Sequence, residues 1–274
     1  MRGGACQVDF LPKDTYNAED LAQIVHILRA PGGCPWDREQ THASIRMNFI
    51  EEAYEAVEAI DAGSADMLAE ELGDVLLQVA LHAEMEAELG TFDFDDVCDG
   101  ICKKLIYRHP HVFGDVHAET SQQVLKNWDE LKKKEKHQKT ATSNLEAVPV
   151  TLPGAMRLAK LQKRAAGYGL GWAGTAQAAA AAAGAAKCLA TADKGTAEAQ
   201  QAAQALLFAA IGAARLAGVD AELALTRASE QLTAAVGNAE QAAGDGGLAA
   251  LSPQQKEQLW EETIMVPFRE KTTP

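Results

Sequence analysis

Apolar residues recur at helical spacing through most of the chain. Leu21, Ile24, Val25 and Leu28 predict a first helix over about 18–29. Pro31-Gly32-Gly33 ends it, and the short loop Cys34-Pro35-Trp36-Asp37 follows. Phe49, Ala53, Ala56, Val57 and Ile60 form the apolar stripe of a second helix over about 43–62. Leu68, Leu72, Val75, Leu76 and Val79 mark a third over about 65–89, closed by Gly90. A fourth is predicted over about 94–108, broken by His109-Pro110-His111, and a fifth over about 121–136 carries Trp128.

Lys132–Thr142 is polar and charged, and with Val148-Pro149 and Leu152-Pro153 it reads as a linker. Helical patterns resume over about 155–166, 175–192, 196–216, 220–243 and 253–262, with a break at Gly244-Asp245-Gly246-Gly247. The pattern predicts an all-α protein, a helical bundle in two tandem domains over 1–140 and 150–265. The halves read as a distant internal repeat, in which Leu72–Gln78 lines up with Ala203–Phe208.

Composition supports helices over sheet. Aromatics are 5% of 274 residues and alanine runs through the second half. The net charge of −14 is uneven: residues 1–140 hold 27 Asp/Glu and 14 Lys/Arg, the remainder 12 and 11. An acidic half with few basic clusters argues against binding to nucleic-acid polymers and suits a protein that gathers carboxylates around cations. The five cysteines, Cys6, Cys34, Cys98, Cys102 and Cys188, lack metal-finger spacing and read as reduced structural thiols. No stretch reads as a signal peptide or reaches the ~18–20 apolar residues of a membrane span. The expectation is a cytoplasmic protein with no membrane partner.

The sharpest chemical feature is Glu51-Glu52-Ala53-Tyr54-Glu55 on the second helix with Glu71-Leu72-Gly73-Asp74 on the third. Glu52 and Glu55 are three apart and share a face, as do Glu71 and Asp74. A turn at 61–65 folds the two helices into a hairpin, so four carboxylates can converge. Glu52 and Glu71 interrupt apolar stripes. Burying clustered unpaired carboxylates is unfavourable, and a hard divalent cation removes the cost. All-oxygen ligands select Mg²⁺, with Mn²⁺ able to substitute. Glycine within a helix costs ~1 kcal/mol relative to alanine, which suits close helix approach at Gly73.

Lys104 and Arg108 lie four apart on the fourth helix, and Trp128 and Lys132 four apart on the fifth. Cations beside a flat ring suit a nucleotide. His109 and His111 read as structural turn residues. Cys34 has no basic partner to activate a thiolate, so its loop reads as a packing element, with Trp36 able to reach substrate.

These residues resemble the MazG family, all-α nucleoside triphosphate pyrophosphohydrolases with the motif EExxE followed by ExxD. The motif stands here as Glu51-Glu52-x-x-Glu55 and Glu71-x-x-Asp74. Gly-Cys-Pro-Trp-Asp at 33–37, Arg-His-Pro-His-Val-Phe at 108–113 and Trp128-x-x-x-Lys132 also resemble the family, over roughly 18–135. The resemblance implies Glu52, Glu55, Glu71 and Asp74 as magnesium ligands. It implies Glu51 as the group orienting or helping to deprotonate water, working beside Glu52 and Glu55. Lys104, Arg108 and Lys132 would contact the triphosphate, with Trp128 near the nucleotide. The implied reaction is (d)NTP plus water to (d)NMP and pyrophosphate, a house-cleaning activity on the nucleotide pool.

Residues 150–265 resemble the second, tandem domain of longer members, yet the carboxylates are lost. Ala202 and Ala205 fall where Glu71 and Asp74 stand, roughly Ala185 and Cys188 at the EExxE ligand positions, and Gln231 and Ala235 where Lys104 and Arg108 are expected. The expectation is an active first half and a degenerate second half serving dimerisation or stability. Short helix hairpins cannot enclose a core alone, so a homodimer is expected. Three other readings stay open. They are hydrolysis of another pyrophosphate compound such as phosphoribosyl-ATP, a non-catalytic magnesium–nucleotide sensor or interaction protein, and a purely structural helical assembly.

Overall fold

The computed structural model describes residues 10–124, 127, 128, 131, 140–243 and 247–265. Cys6, Lys132, most of the expected linker and the break at 244–246 lie outside the described residues, as does part of the helix expected over 121–136. The regular secondary structure of the described residues is helical, with no strand among them. The chain divides into two compact units, Met1–Lys132 and Lys133–Pro274.

In the first unit, α1 spans Ala18–Arg29 and opens with a reciprocal cap between Asn17 and Asp20. Gly33 then lets the chain turn back on α1, because a Cβ there would collide with the carbonyl oxygens of Ile27 and Leu28. The expected loop at 34–37 is instead one short helix, α2 (Pro35–Glu39), with proline at its permitted first position.

The second predicted helix is divided into α3 (His42–Ile45) and α4 (Asn48–Ala62). Arg46 and Met47 form the turn between them and keep helical dihedral angles, so the hydrogen-bond ladder is interrupted while the chain stays in the helical region. A cap between Thr41 and Ser44 starts α3. Gly63, at φ 67°, ends α4, and Ser64 caps α5 (Ala65–Ala87). The helices α4 and α5 form the main hairpin of the unit. Asp93 caps α6 (Phe94–Arg108), and α7 (Pro110–Phe113) follows. Residues 121–124, 127, 128 and 131 are helical.

The core lies at the far end of α5, where Val25, Ile45, Leu81 and Met85 pack with Leu21, Leu77 and Phe94. The apolar stripes expected on α4 and on the first half of α5 are largely uncovered. Val57, Ile60, Leu72 and Leu76 are exposed, Leu72 by 53%, while Ala56 and Ala59 are buried. The stripes are real, but α1 and α6 cover only part of α5 and nothing within the described unit covers the rest.

The first described helix of the second unit is α8 (Ala141–Glu146), which overlaps the expected linker because Thr140 and Ser143 cap each other reciprocally. It packs on α9 (Gly154–Ala166). Then α10 (Thr175–Thr191) and α11 (Ala197–Leu216) form the hairpin of this unit, followed by α12 (Ala221–Ala243) and α13 (Pro253–Leu259). Alanine dominates its buried positions, among them Ala178, Ala202, Ala209 and Ala239. No single described helix is long and apolar enough to cross a membrane.

Candidate metal and nucleotide site

Two positions per helix build the acidic cluster. Glu52 and Glu55 project from one face of α4, Glu71 and Asp74 from one face of α5, and the Gly63–Ser64 turn brings these faces together. Carboxylate oxygens of Glu52, Glu55 and Glu71 lie within 4.8 Å of one another. Glu52 and Glu71 are half-buried and Glu55 is exposed. Asp74, also half-buried, is not a member of that trio but is close enough to act on Glu52 and Glu71 electrostatically. Glu51 is exposed and lies one residue, about 100°, round α4 from Glu52.

Charge repulsion and partial burial mark the cluster. Loss of water raises the Glu52 carboxyl above its ordinary value, and Asp74, Glu55 and Glu71 add to the effect. Glu71 is raised chiefly by loss of water, then by Glu55, Glu70, Asp74 and Glu58. Among the described residues, no lysine or arginine is one of the groups shifting either residue. An all-oxygen donor set of converging anions fits a hard divalent cation, which supplies the missing positive charge.

The basic and aromatic residues form a second group. Lys104 is exposed on α6. Arg108, one turn on, is 6% exposed, and its guanidinium sits 5.3 Å from the centre of the Trp128 ring. His109 meets the same indole edge-on at 4.8 Å. His109 Nδ1 donates to the Leu105 carbonyl at 2.6 Å, and its ring tilts against His111 at 5.5 Å, so both histidines shape the end of α6. Trp36 is exposed. Lys132 lies outside the described residues.

Other polar residues here escaped the sequence reading. Gln78 is buried one turn beyond Asp74, and its Oε1 has no hydrogen-bond partner among the described residues. A polar residue between Val75 and Val79 was the available signal. His42 and His82 stack at 4.9 Å with Nδ1 atoms 2.6 Å apart, and His42 Nε2 donates to Glu86 at 2.9 Å. Thr91 donates its hydroxyl to the same carboxylate. Arg29 clamps Glu88 through two nitrogens, at 2.7 and 2.9 Å, and donates to the carbonyls of Asp37 and Gln40.

Fold and site together define an all-helical protein whose clustered carboxylates suit a divalent cation, with a separate pairing of Arg108 and Trp128 at the end of α6. The model of the MazG nucleotide pyrophosphohydrolase domain matches residues 40–113, which contain the whole cluster. A nucleoside triphosphate pyrophosphohydrolase of Escherichia coli (strain K12) is 39% identical over 255 residues, covering 88% of this chain and 95% of that protein. The protein YabN of Bacillus subtilis is 51% identical over 140 residues, 51% of this chain but 28% of YabN. A Thermotoga maritima nucleoside triphosphate pyrophosphohydrolase/pyrophosphatase MazG is 44% identical over 154 residues, 56% of this chain and 58% of that protein. The chain belongs to the MazG family of nucleoside triphosphate pyrophosphohydrolases.

Proposed function

We propose that the first unit hydrolyses nucleoside or deoxynucleoside triphosphates to the monophosphate and pyrophosphate, clearing the cytoplasmic nucleotide pool. The observation that carries this reading is the convergence of Glu52, Glu55 and Glu71 with Asp74 beside them, where no described lysine or arginine acts on Glu52 or Glu71. These four residues hold magnesium, with manganese able to replace it. When bound, the ion supplies positive charge against the phosphate oxygens and makes water a better nucleophile.

The chain's own residues do the rest. Glu51, beside the ligands but off their face, orients the attacking water and accepts its proton. Lys104, Arg108 and Lys132 hold the triphosphate, and the Arg108–Trp128 stack gives the nucleotide a fixed cationic and aromatic surface. Attack falls on the α-phosphorus and pyrophosphate leaves, with catalysis coming mainly from positioning and electrostatic stabilisation. The second unit, with Ala202 and Ala205 in place of acids, does no hydrolysis. The uncovered stripes of α4 and α5 support a homodimer in which a second copy covers them.

The test is an assay of the intact chain with the common NTPs and dNTPs plus magnesium, scoring monophosphate and pyrophosphate. Glu52→Ala and Asp74→Ala should each abolish turnover while leaving the helical circular dichroism unchanged. Full activity in either variant overturns the ligand set.

A further inference from the structure

A line of hydrogen bonds ties α3 to the far half of α5, away from the acidic cluster. The Glu86 carboxylate accepts from the Thr91 hydroxyl and from His42 Nε2 at 2.9 Å. Thr91 above all holds that carboxyl below its ordinary 4.5. An ionised carboxylate only accepts, so His42 Nε2 carries a proton. His42 Nδ1 then faces His82 Nδ1 at 2.6 Å. Two ring nitrogens this close need a proton on one and a lone pair on the other.

That requirement limits how many protons the pair can hold. With both rings neutral, His82 Nδ1–H donates to the bare His42 Nδ1. A proton taken up at His82 Nε2 reverses the bond. The Nδ1 proton crosses to His42, which becomes charged against Glu86, and His82 Nδ1 now accepts. A second added proton puts N–H groups on both facing atoms, with no acceptor between them and two like charges side by side. Burial, and then His42, lower His82 below its ordinary 6.5, so this second proton arrives on the acid side of neutrality. Among the described residues, His42 is the one charged group that shifts His82. The next carboxylates along α5 are engaged by α1: Glu84 with His26 Nδ1 at 2.7 Å, and Glu88 with Arg29 at 2.7 and 2.9 Å. From α4, His82 meets the uncharged Phe49 ring at 5.9 Å.

The helix held by this bond is short. It is four residues long, its Ile45 enters the core, and a helix of one turn does not persist by propensity alone. Arg46 and Met47 lead from it into α4, whose first turn carries Glu51. We propose that the His42–His82 pair is a proton-operated latch, which holds α3 on α5 while the pair carries at most one added proton and releases α3, with the entry to α4, when both rings are charged. His82 lies eight residues along α5 from Asp74, about 12 Å. The latch is therefore separate from the acidic cluster, and its test does not depend on hydrolysis.

The experiment is amide hydrogen exchange of the intact chain between about pH 7.5 and 5, each rate divided by that of an unstructured peptide at the same pH. The amides of Ser44 and Ile45, bonded to the Thr41 carbonyl at 3.0 and 3.3 Å, should lose protection by about tenfold on acidification, while those of α5 keep theirs. His82→Asn sets a non-titrating amide N–H where Nδ1 stood and should keep α3 protected throughout. His82→Ala should leave α3 open at both pH values. Ring nitrogen resonances of the unsubstituted chain give a second readout: on acidification His82 Nδ1 should pass from protonated to bare and back. Protection of α3 that is flat with pH, that falls equally in His82→Asn, or that falls together with all of α5 overturns the proposal. So do two rings that titrate independently.

Discussion

His82 faces His42 and Phe49 and, through His42, the Glu86 carboxylate and the Thr91 hydroxyl. Burial, and then the neighbouring His42, lower its pKa from the ordinary 6.5. A base lowered in the folded state is protonated more readily when unfolded. Its contribution is therefore complete above 6.5 and is lost as pH falls through that value towards the folded pKa. Glu86 is lowered from 4.5, chiefly by Thr91 and then by His42, so its contribution is lost only below that value. The melting temperature should fall between about pH 7.5 and 5.5 as His82 takes up its proton. His82→Gln, which cannot titrate, should show a shallower fall. Equal slopes for the two proteins would remove His82 as the cause. Nothing in the sequence announced this array, since His42 and His82 are 40 residues apart. The acids at 52 and 71 were legible, because each breaks an apolar stripe.

At the scale of elements, the α4–α5 hairpin sets the distance between the acidic faces. Gly63 adopts φ 67° at its turn, and the amides of Gly63 and Ser64 satisfy the carbonyls of Ile60 and Ala59. No atom crowds a Cβ at Gly63, so substitution acts through backbone strain alone. Gly63→Ala should cost about 1 kcal/mol, read as a lower denaturant midpoint at unchanged slope. An unchanged midpoint would show the turn free to relax. Most helix bounds followed from apolar period, glycine and proline. The interruption at Arg46–Met47 did not, because both residues stay helical and only the hydrogen-bond ladder shifts. The helix at Ala141–Glu146 was hidden by the polarity of the segment leading into it.

At the scale of the whole molecule, Ile50, Tyr54, Val57 and Ile60 on α4 and Leu72 and Leu76 on α5 are large apolar side chains left exposed. A patch of this kind on a lone chain marks an association surface. If a second copy lies there, sedimentation should give a dimer, and Leu72→Lys/Leu76→Lys should give a monomer with intact helicity. A wild-type monomer at micromolar concentration would end the proposal.

Local pattern determined which segments are helical and which acids share a helical face, because both depend on residues three or four apart in sequence. Packing between helices decided what those faces meet. It drew Glu52, Glu55 and Glu71 together but left Asp74 beside them, laid Arg108 on Trp128, and seated the Trp172 ring against Gly212. Those outcomes depend on how one helix turns against another, and contacts between residues tens of positions apart leave no period in the chain.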